Sequence, residues 1–590
     1  MSLYKDASLV MLPSAVKDGK LYSIRPTDGS GDFTFSRGSN LAATRVDVNG
    51  LIEKGRENLL LQSNQFDTTW SKNNANVTGG QSGYDGTNNA WKIIATPTSS
   101  CYINQGNFST LRTHSVYAKA GTYDQVSIIV GGYGQGVQFD LTSGTIATNS
   151  NSSLYYPTIT QAGAAGWYRI SVFVAPSAPT YGFLIAPQIL AGGGISVGEY
   201  IYIQAAQTEY SLVATDYIET GASTAQAGIL EDLPRLDYSG GASCPSLLLE
   251  PQRTNLAESS EQFNNTAHWV NTEGNTILVN NAISPEGVQN AFKLIPFATD
   301  AYHRIFEGGA ITTGNPYTFS IFAKAGGYRY MLIRNNGIGS VGQANIGVDL
   351  EEGTITYADS DYDSYDIQDY GNGWYRIWAS ADAAQNTYNI GIRFQNYEQV
   401  NSSIGTFTGD GTSGGYVYGW QVEAGSYPTS YIPTYGSSVT RTDEFFYNYD
   451  DLQNNGILGS TWTFLYDQTY QDVARDAACA IFLLDNGNSG GDGHTNVRIA
   501  LNSNGNFRLQ DSSGQQYSST GNKILCRYDG YKISWYIDGS LFNEHNVTGA
   551  FDTLNRHNPS GSNKKTIRAN QVVIFPTALT DSEAIALTTL

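Results

Sequence analysis

Along most of the chain, apolar and polar residues alternate with a period of two, as in Ser115-Val116-Tyr117-Ala118 and Tyr317-Thr318-Phe319-Ser320-Ile321-Phe322-Ala323. That period sends successive side chains to opposite faces of an extended segment, so it predicts half-buried β-strands. Gly, Asn, Ser and Asp turns separate the strands at short intervals, and no helical period runs for any length. After residue 444 the rows Thr461–Tyr466, Ala480–Leu484 and Val497–Leu501 lead into a hairpin. Cys526-Arg527-Tyr528 turns there through Asp529-Gly530 into Lys532–Ile537, with a second turn at Asp538-Gly539; Asp-Gly is a favoured two-residue hairpin turn. The strand Gln571–Phe575 follows, then a short helix capped by Thr580 or Asp581. The pattern predicts an all-β chain.

The strands come in two related sets. Gly166-Trp167-Tyr168-Arg169-Ile170 returns 207 residues later as Gly373-Trp374-Tyr375-Arg376-Ile377. Other landmarks recur in the same order: Asn58-Leu59 as Asn255-Leu256, Phe66 and Trp70 as Phe263 and Trp269, and Ala118-Lys119-Ala120-Gly121 as Ala323-Lys324-Ala325-Gly326. Gln207-Thr208-Glu209 matches Gln421-Val422-Glu423, and Asp216-Tyr217-Ile218 matches Ser430-Tyr431-Ile432. An offset that drifts upward through small insertions is how two copies of one domain diverge. In each copy one ring of the Trp-Tyr pair should face the core and the other the solvent.

At 590 residues the chain is too long for one core. Four segments are expected: an N-terminal docking segment (1–50), a first jelly-roll sandwich (51–228), a linker with a second jelly roll (229–443), and a different sandwich (444–590). The first segment is too short for a core of its own and should lean on another surface. Three Arg-x-Asp stretches, Arg45-Val46-Asp47, Arg235-Leu236-Asp237 and Arg441-Thr442-Asp443, mark the joints between units. Their Arg and Asp are expected in local ion pairs.

Composition narrows the functions. Aromatic residues make up 12% of the chain, with 40 Tyr, while charged residues make up only 15%; a disordered chain has the opposite bias. The formal charge of −20, without any concentrated basic run, argues against nucleic-acid binding. No run of about 18 apolar residues would span a membrane. The apolar stretch Ala7–Val16 carries Pro13 and is flanked by Asp6 and Lys17-Asp18, which is not the layout of a signal peptide. Cys101, Cys244, Cys479 and Cys526 are far apart and read as small buried residues in strands.

Catalytic signatures are weak. Asp359, Asp361 and Asp363 alternate, and on an extended segment they would share a face; that could bind calcium or be a solvated loop. The loop is favoured because the first copy carries Asn149, Asn151, Tyr155 and Tyr156 there. The six histidines include no pair at metal-ligand spacing. Gly-x-Ser-x-Gly occurs around Ser196, Ser413 and Ser489, but none lies between a strand and a helix as a nucleophile elbow must.

The duplicated units resemble the carbohydrate-binding-module-like jelly rolls of bacteriophage structural proteins, on Asn58-Leu59-Leu60, Phe66, Trp70, Ala118-Lys119-Ala120 and Gly166-Trp167-Tyr168-Arg169. The terminal unit, on Tyr536-Ile537-Asp538-Gly539 and Ala578–Glu583, is similar to concanavalin A-like and laminin-G-like sandwiches. The line from Pro234 to Leu256 looks like a stretch common in phage fibre and appendage proteins. The resemblance implies a non-enzymatic virion protein, a head or tail fibre or decoration, that docks on the particle and contacts host-surface glycans. It also implies a homo-oligomer, with a trimer favoured, and no required cofactor. A lectin and a polysaccharide depolymerase are the competing readings. Trp70, Trp269 and Trp535 are the candidate glycan platforms, since ring faces suit apolar sugar faces; core packing competes for each. Glu209 and Glu423 are candidates for a structural calcium, as in similar sugar-binding jelly rolls, against a simple surface ion pair. Residues 1–50 are expected to anchor the chain to the virion, with the sandwich from 444 onward distal.

Overall fold

The computed structural model describes residues 3–470 except 18–19, 39–40, 97–99, 109–110, 133, 176–177, 179–180, 189, 191–193, 272–273 and 448–454. Beyond these it describes the strands Cys479–Asp485, Val497–Leu501, Phe507–Gln510, Gln516–Ser519 and Thr553–Leu554, with residues 521–546 and 567–589.

Each duplicated unit is a two-sheet sandwich fastened by a short strand pair at its ends. Arg56–Asn58 pairs with Ala225–Ala227, and Arg253–Asn255 with Val439–Arg441. One sheet of the first copy runs Tyr155–Gln161, Trp167–Val174, Arg112–Ala120, Tyr200–Glu209, Ala90–Ala95, Ala75–Gln81. In the second copy the matching sheet runs Ser364–Asp369, Tyr375–Asp382, Pro316–Gly326, Gly414–Ala424, Ala291–Pro296, Asn275–Ala282. The strand order is the same, so the duplication extends to topology. In the facing sheets the outer strand Ser71–Asn73 has as its counterpart a single bridge between Val270 and Phe306.

The alternation produces the cores. Ile93, Ile103, Val116, Ile128, Ile170 and Ile203 fill the first sandwich, and Phe319, Ile321, Ile333, Ile346, Ile377 and Trp420 the second. Each side chain of this size, taken fully out of water, contributes about 1.5–3 kcal/mol. Leu111, Phe173 and Leu212 of the first copy join the core of the second, so the two sandwiches share apolar surface.

The third sandwich is assembled from distant pieces of chain. Leu9–Lys17 runs antiparallel along Ile567–Phe575, with Leu9 opposite Ile574 and Met11 opposite Val572. Lys20–Arg25, Phe33–Ser36 and Phe445–Tyr447 extend that side of the sheet. On the other side Ile567–Phe575 pairs with Trp462–Tyr470, followed by the strands of the expected hairpin. The linker strand Ser246–Leu249 also pairs with Ile567–Ala569 and carries Arg235–Asp237 on its far side.

One core therefore holds Leu9, Met11, Leu21, Phe33 and Phe35 together with Leu247, Leu249, Trp462, Phe464, Ile533 and Ile574. Residues 1–50 do lean on another surface, but that surface is the chain's own terminal sandwich. This corrects one expectation: the sandwich at 444–590 is not self-sufficient, because strands from residues 9–36 complete its sheet and core. The reason lies in Ile567–Phe575, where Val572 and Ile574 face one core while Val573 and Phe575 face another under the helix Asp581–Thr588. A strand apolar on both faces needs neighbours on both edges, or its backbone groups are left unpaired beside buried surface.

The joints are built from charge. Arg235 pairs with Glu250 at 2.8 Å and with Glu444; Arg37 pairs with Glu444 at 3.0 Å and Arg441 with Glu250 at 2.9 Å. All five side chains are buried. Asp237 takes Arg568 at 3.0 Å and Arg45 takes Glu53 at 2.7 Å. Arg45 thus finds Glu53 across its own hairpin, a local ion pair as expected, whereas Arg235, Arg441 and Asp237 reach partners far off in the chain. Lys54 is likewise buried, 2.8 Å from Glu261 and 2.5 Å from Glu286 of the second jelly roll. Of the cysteines, Cys101 and Cys526 are buried as expected, whereas Cys244 is exposed in a turn; the Cys479 side chain lies outside the described residues.

Candidate functional site

The three expected tryptophan platforms are interior. Trp70 and Trp269 are each 2% exposed, and Trp535 is fully buried in the terminal core. The Trp70 indole N–H donates to the Gln62 carbonyl at 3.2 Å and that of Trp269 to the Ser259 carbonyl at 3.0 Å. Trp70 packs 5.1 Å from the Phe66 ring and Trp269 4.8 Å from Phe263. No face of these rings reaches solvent, so they are not sugar platforms. Trp70 and Trp269 are packing centres, which explains why Phe and Trp recur together.

The other landmarks recur for a structural reason as well. Asn58 donates to the carbonyls of Ala206 and Ile218 and accepts from the N–H of Leu60 and Thr208. Gln207 accepts from Ile218 N–H at 2.7 Å and donates to Glu209 at 2.7 Å. Glu209 accepts from the Thr215 N–H at 2.9 Å and hydroxyl at 2.6 Å, and Arg169 donates to the Thr215 carbonyl. In the second copy Asn255, Gln421, Glu423, Thr429, Ile432 and Arg376 repeat these bonds. This latch ties the chain that leaves each sandwich to the sheet.

Glu209 and Glu423 are buried at its centre. Burial pushes the Glu209 carboxyl up, against the Thr215 and Gln207 bonds that hold it down. The groups around it are donors, which a cation needs replaced by oxygens. The calcium expectation for Glu209 and Glu423 does not fit this donor set, and neither does a surface ion pair. Among the described residues no three His, Cys, Asp or Glu side chains cluster as for a metal.

Of the acidic run, Asp359 follows a strand end and Asp361 lies in the turn after it, not on one extended face, and Asp359 accepts from Asn345 N–H and the Tyr357 hydroxyl. Ser413 N–H donates to Asp410 and Ser196 N–H to Glu199, and neither serine begins a helix. Ser489 lies outside the described residues.

A cleft of about 870 Å³ lies among the described residues where the 44–52 hairpin, the second jelly roll, the linker and the terminal sandwich meet. Turns at its rim carry Asn49-Gly50, Gly240-Gly241 and Gly371-Asn372. Gly240 and Gly241 both take left-handed φ, +73° and +72°, which glycine adopts without strain. Half-buried Tyr370 lines the cleft 4.9 Å from the buried Phe322 ring, and Arg45, Asp237 and Arg568 contribute polar edges.

Its acids are already engaged. Asp237 accepts from Val46 N–H at 3.2 Å besides its Arg568 pair, and Asp369 accepts from Gly371 N–H at 2.7 Å. Burial alone would raise the Glu250 carboxyl, but Arg441 and Arg235 hold it well below the usual carboxylate range. What the cleft offers is amide and guanidinium edges beside a tyrosine ring. In sequence these residues were visible only as turns and joints; the recurring Arg-x-Asp stretches were the one signal pointing to them.

No protein-family model and no curated protein matches the chain. Several solved structures are similar to it, including the following two. One is the N-terminal CBM22-1–CBM22-2 tandem domain of Paenibacillus barcinonensis Xyn10C, 10% identical over 66% of this chain and 100% of that one. The other is Trypanosoma rangeli sialidase in complex with the inhibitor DANA, 10% identical over 94% of this chain and 98% of that one. The TM-score is 0.20 in both cases, and at that value the likeness says nothing of what this chain binds.

Proposed function

We propose that this chain is a non-enzymatic, glycan-binding appendage of a bacteriophage virion, and that the glycan is held in the cleft at the three-unit joint. The observation that carries the reading is the cleft's make-up: about 870 Å³, a tyrosine ring on one wall, and Asn49, Gln368, Asn372, Arg45 and Arg568 presenting flat polar edges. Sugar rings have one apolar face and a rim of hydroxyls, and pockets of a few hundred to about 1,000 Å³ with a few placed polar groups suit such ligands. The engagement of Asp237, Glu250 and Asp369 supports binding over hydrolysis, since glycoside cleavage needs two carboxylates aimed at one bond. The virion assignment rests on the fibre-like line from Pro234 to Leu256.

Glycan-array binding by the full chain, repeated with Tyr370→Ala, tests the glycan reading. Loss of neutral-glycan binding in the variant at unchanged thermal stability is the expected result; wild type without any neutral-glycan signal would contradict it. Release of new reducing ends from host polysaccharide would overturn the non-enzymatic assignment. Cryo-electron microscopy of the particle tests the virion.

A further inference from the structure

Besides the cleft, the two jelly rolls share a second surface feature. In the first copy the antiparallel register sets Trp167, Lys119, Tyr202 and Lys92 side by side across four strands. All four point away from the core, which takes their neighbours Ile170, Ala118, Ile203 and Ile93. The second copy repeats the row, with Lys324 opposite Tyr416 and Tyr416 opposite Lys293, and Trp374 at the corresponding end. Lys92, Lys119, Tyr202, Lys293, Lys324 and Tyr416 are all half-buried.

Packing accounts for the stems only. The Lys119 side chain passes 3.7 Å from where a Cβ on Gly166 would sit, and Lys324 passes 3.5 Å from that of Gly373. The ammonium groups stay near the rings: Lys92 Nζ is 5.6 Å from the Tyr202 centroid and 4.4 Å from that of Tyr200, Lys119 Nζ is 6.0 Å from Tyr202, and Lys293 Nζ is 5.6 Å from Tyr416. Lys324 gives one hydrogen bond to the Asn372 carbonyl at 2.7 Å and Lys293 one to the Thr412 carbonyl at 3.1 Å. An ammonium has three donors, so each lysine keeps at least two for a ligand. Among the described residues none of the four ammonium groups forms an ion pair, in a chain with 53 acidic residues. Loops elsewhere have diverged between the copies, with Asn149 and Asn151 in one and an acidic run in the other. The lysine-tyrosine-lysine row has not.

We infer that the two rows are a duplicated binding site for an acidic polysaccharide. Each would take one anionic sugar unit, with Tyr202 or Tyr416 against the ring and the flanking lysines on its carboxylate or sulfate. The charge complementarity is local; the overall charge of −20 opposes a long polyanion at a distance and keeps a single site weak. Two sites on one chain offset that through avidity.

The test is binding of the full chain to polygalacturonate, heparin, neutral dextran and a single-stranded oligodeoxynucleotide at low salt, with K92Q/K119Q, K293Q/K324Q and the four-lysine variant. The inference predicts binding to polygalacturonate or heparin, the preferred one naming carboxylate or sulfate, and none to dextran through these rows. It predicts similar losses for the two double variants, on the order of 100-fold where avidity operates, and abolition in the four-lysine variant. The corresponding Lys→Arg set separates charge from packing and should keep binding. Absence of polyanion binding by wild type, wild-type binding by the four-lysine variant, loss in the Lys→Arg set, or equal binding of the oligodeoxynucleotide would each overturn the inference. The first row lies away from Tyr370, so K293Q/K324Q combined with Tyr370→Ala should bind these probes as K293Q/K324Q alone does, which makes failure here and failure of the cleft distinguishable.

Discussion

At the scale of single residues, aromatic and acidic positions that suggest chemistry in sequence turn out to hold the fold. Trp70→Ala should cost about 3–5 kcal/mol in the first jelly roll, as for a large core side chain, and leave binding of the still-folded fraction unchanged. Chemical denaturation read beside array binding checks this. Glu307 shows how far the copies can differ at one site. In the second copy its buried carboxyl accepts from Trp420 Nε1 at 3.0 Å and the Tyr388 hydroxyl at 2.9 Å, where the first copy has Gln105 at the corresponding strand position.

Burial pushes the Glu307 carboxyl up to about 7, against the Trp420 and Tyr388 bonds that lower it. A group that binds its proton more tightly when folded stabilises most at low pH. Stability from this group is therefore full below about 4.5, its ordinary value, and falls as pH rises to about 7. The change is on the order of 3 kcal/mol. Thermal melts from pH 4 to 8 should show that component lost in Glu307→Gln; an unchanged pH slope in the variant would contradict it.

At the scale of elements, what was legible in sequence was local. The alternation located the strands, Asp529-Gly530 and Asp538-Gly539 located the terminal hairpins, and Thr580 forms the expected capping box with Glu583. The Trp-Tyr pair followed its period too, but Trp167, on the outer face, is the more buried ring because Tyr84 closes over it at 6.5 Å. Pairing over hundreds of residues was not legible, since any apolar strand with free edges offers the same pattern. Met11 opposite Val572 is a choice among many. Its consequence is testable: deleting residues 1–36 removes Leu9, Met11, Leu21, Phe33 and Phe35 from the terminal core. Proteolysis should then cut within 444–590 while the jelly rolls survive, whereas a terminal sandwich as resistant as in the full chain would contradict the pairing.

At the scale of the whole molecule, the jelly rolls are insertions in a sandwich that begins and ends the chain, and buried ion pairs lock the joint. Removing one partner of such a pair leaves an uncompensated buried charge, so Arg235→Met should cost about 3–5 kcal/mol and loosen the cleft with it. The chain is expected to form a homotrimer, which light scattering on the full-length protein would show as three chain masses; a monomer would contradict it. The cleft draws on residues 44–52, 237–250, 368–372 and 428–431 with Phe322, Arg376 and Arg568. No window of sequence contains them together, which is why it was not foreseen.

The most direct test of the account is hydrogen exchange on the full chain, with and without the neutral glycan that binds best on an array. The account predicts protection together in 44–52, 237–241 and 368–372, the three turns that line the cleft. Protection confined to the Trp70 and Trp269 loops, with the joint unchanged, would contradict it.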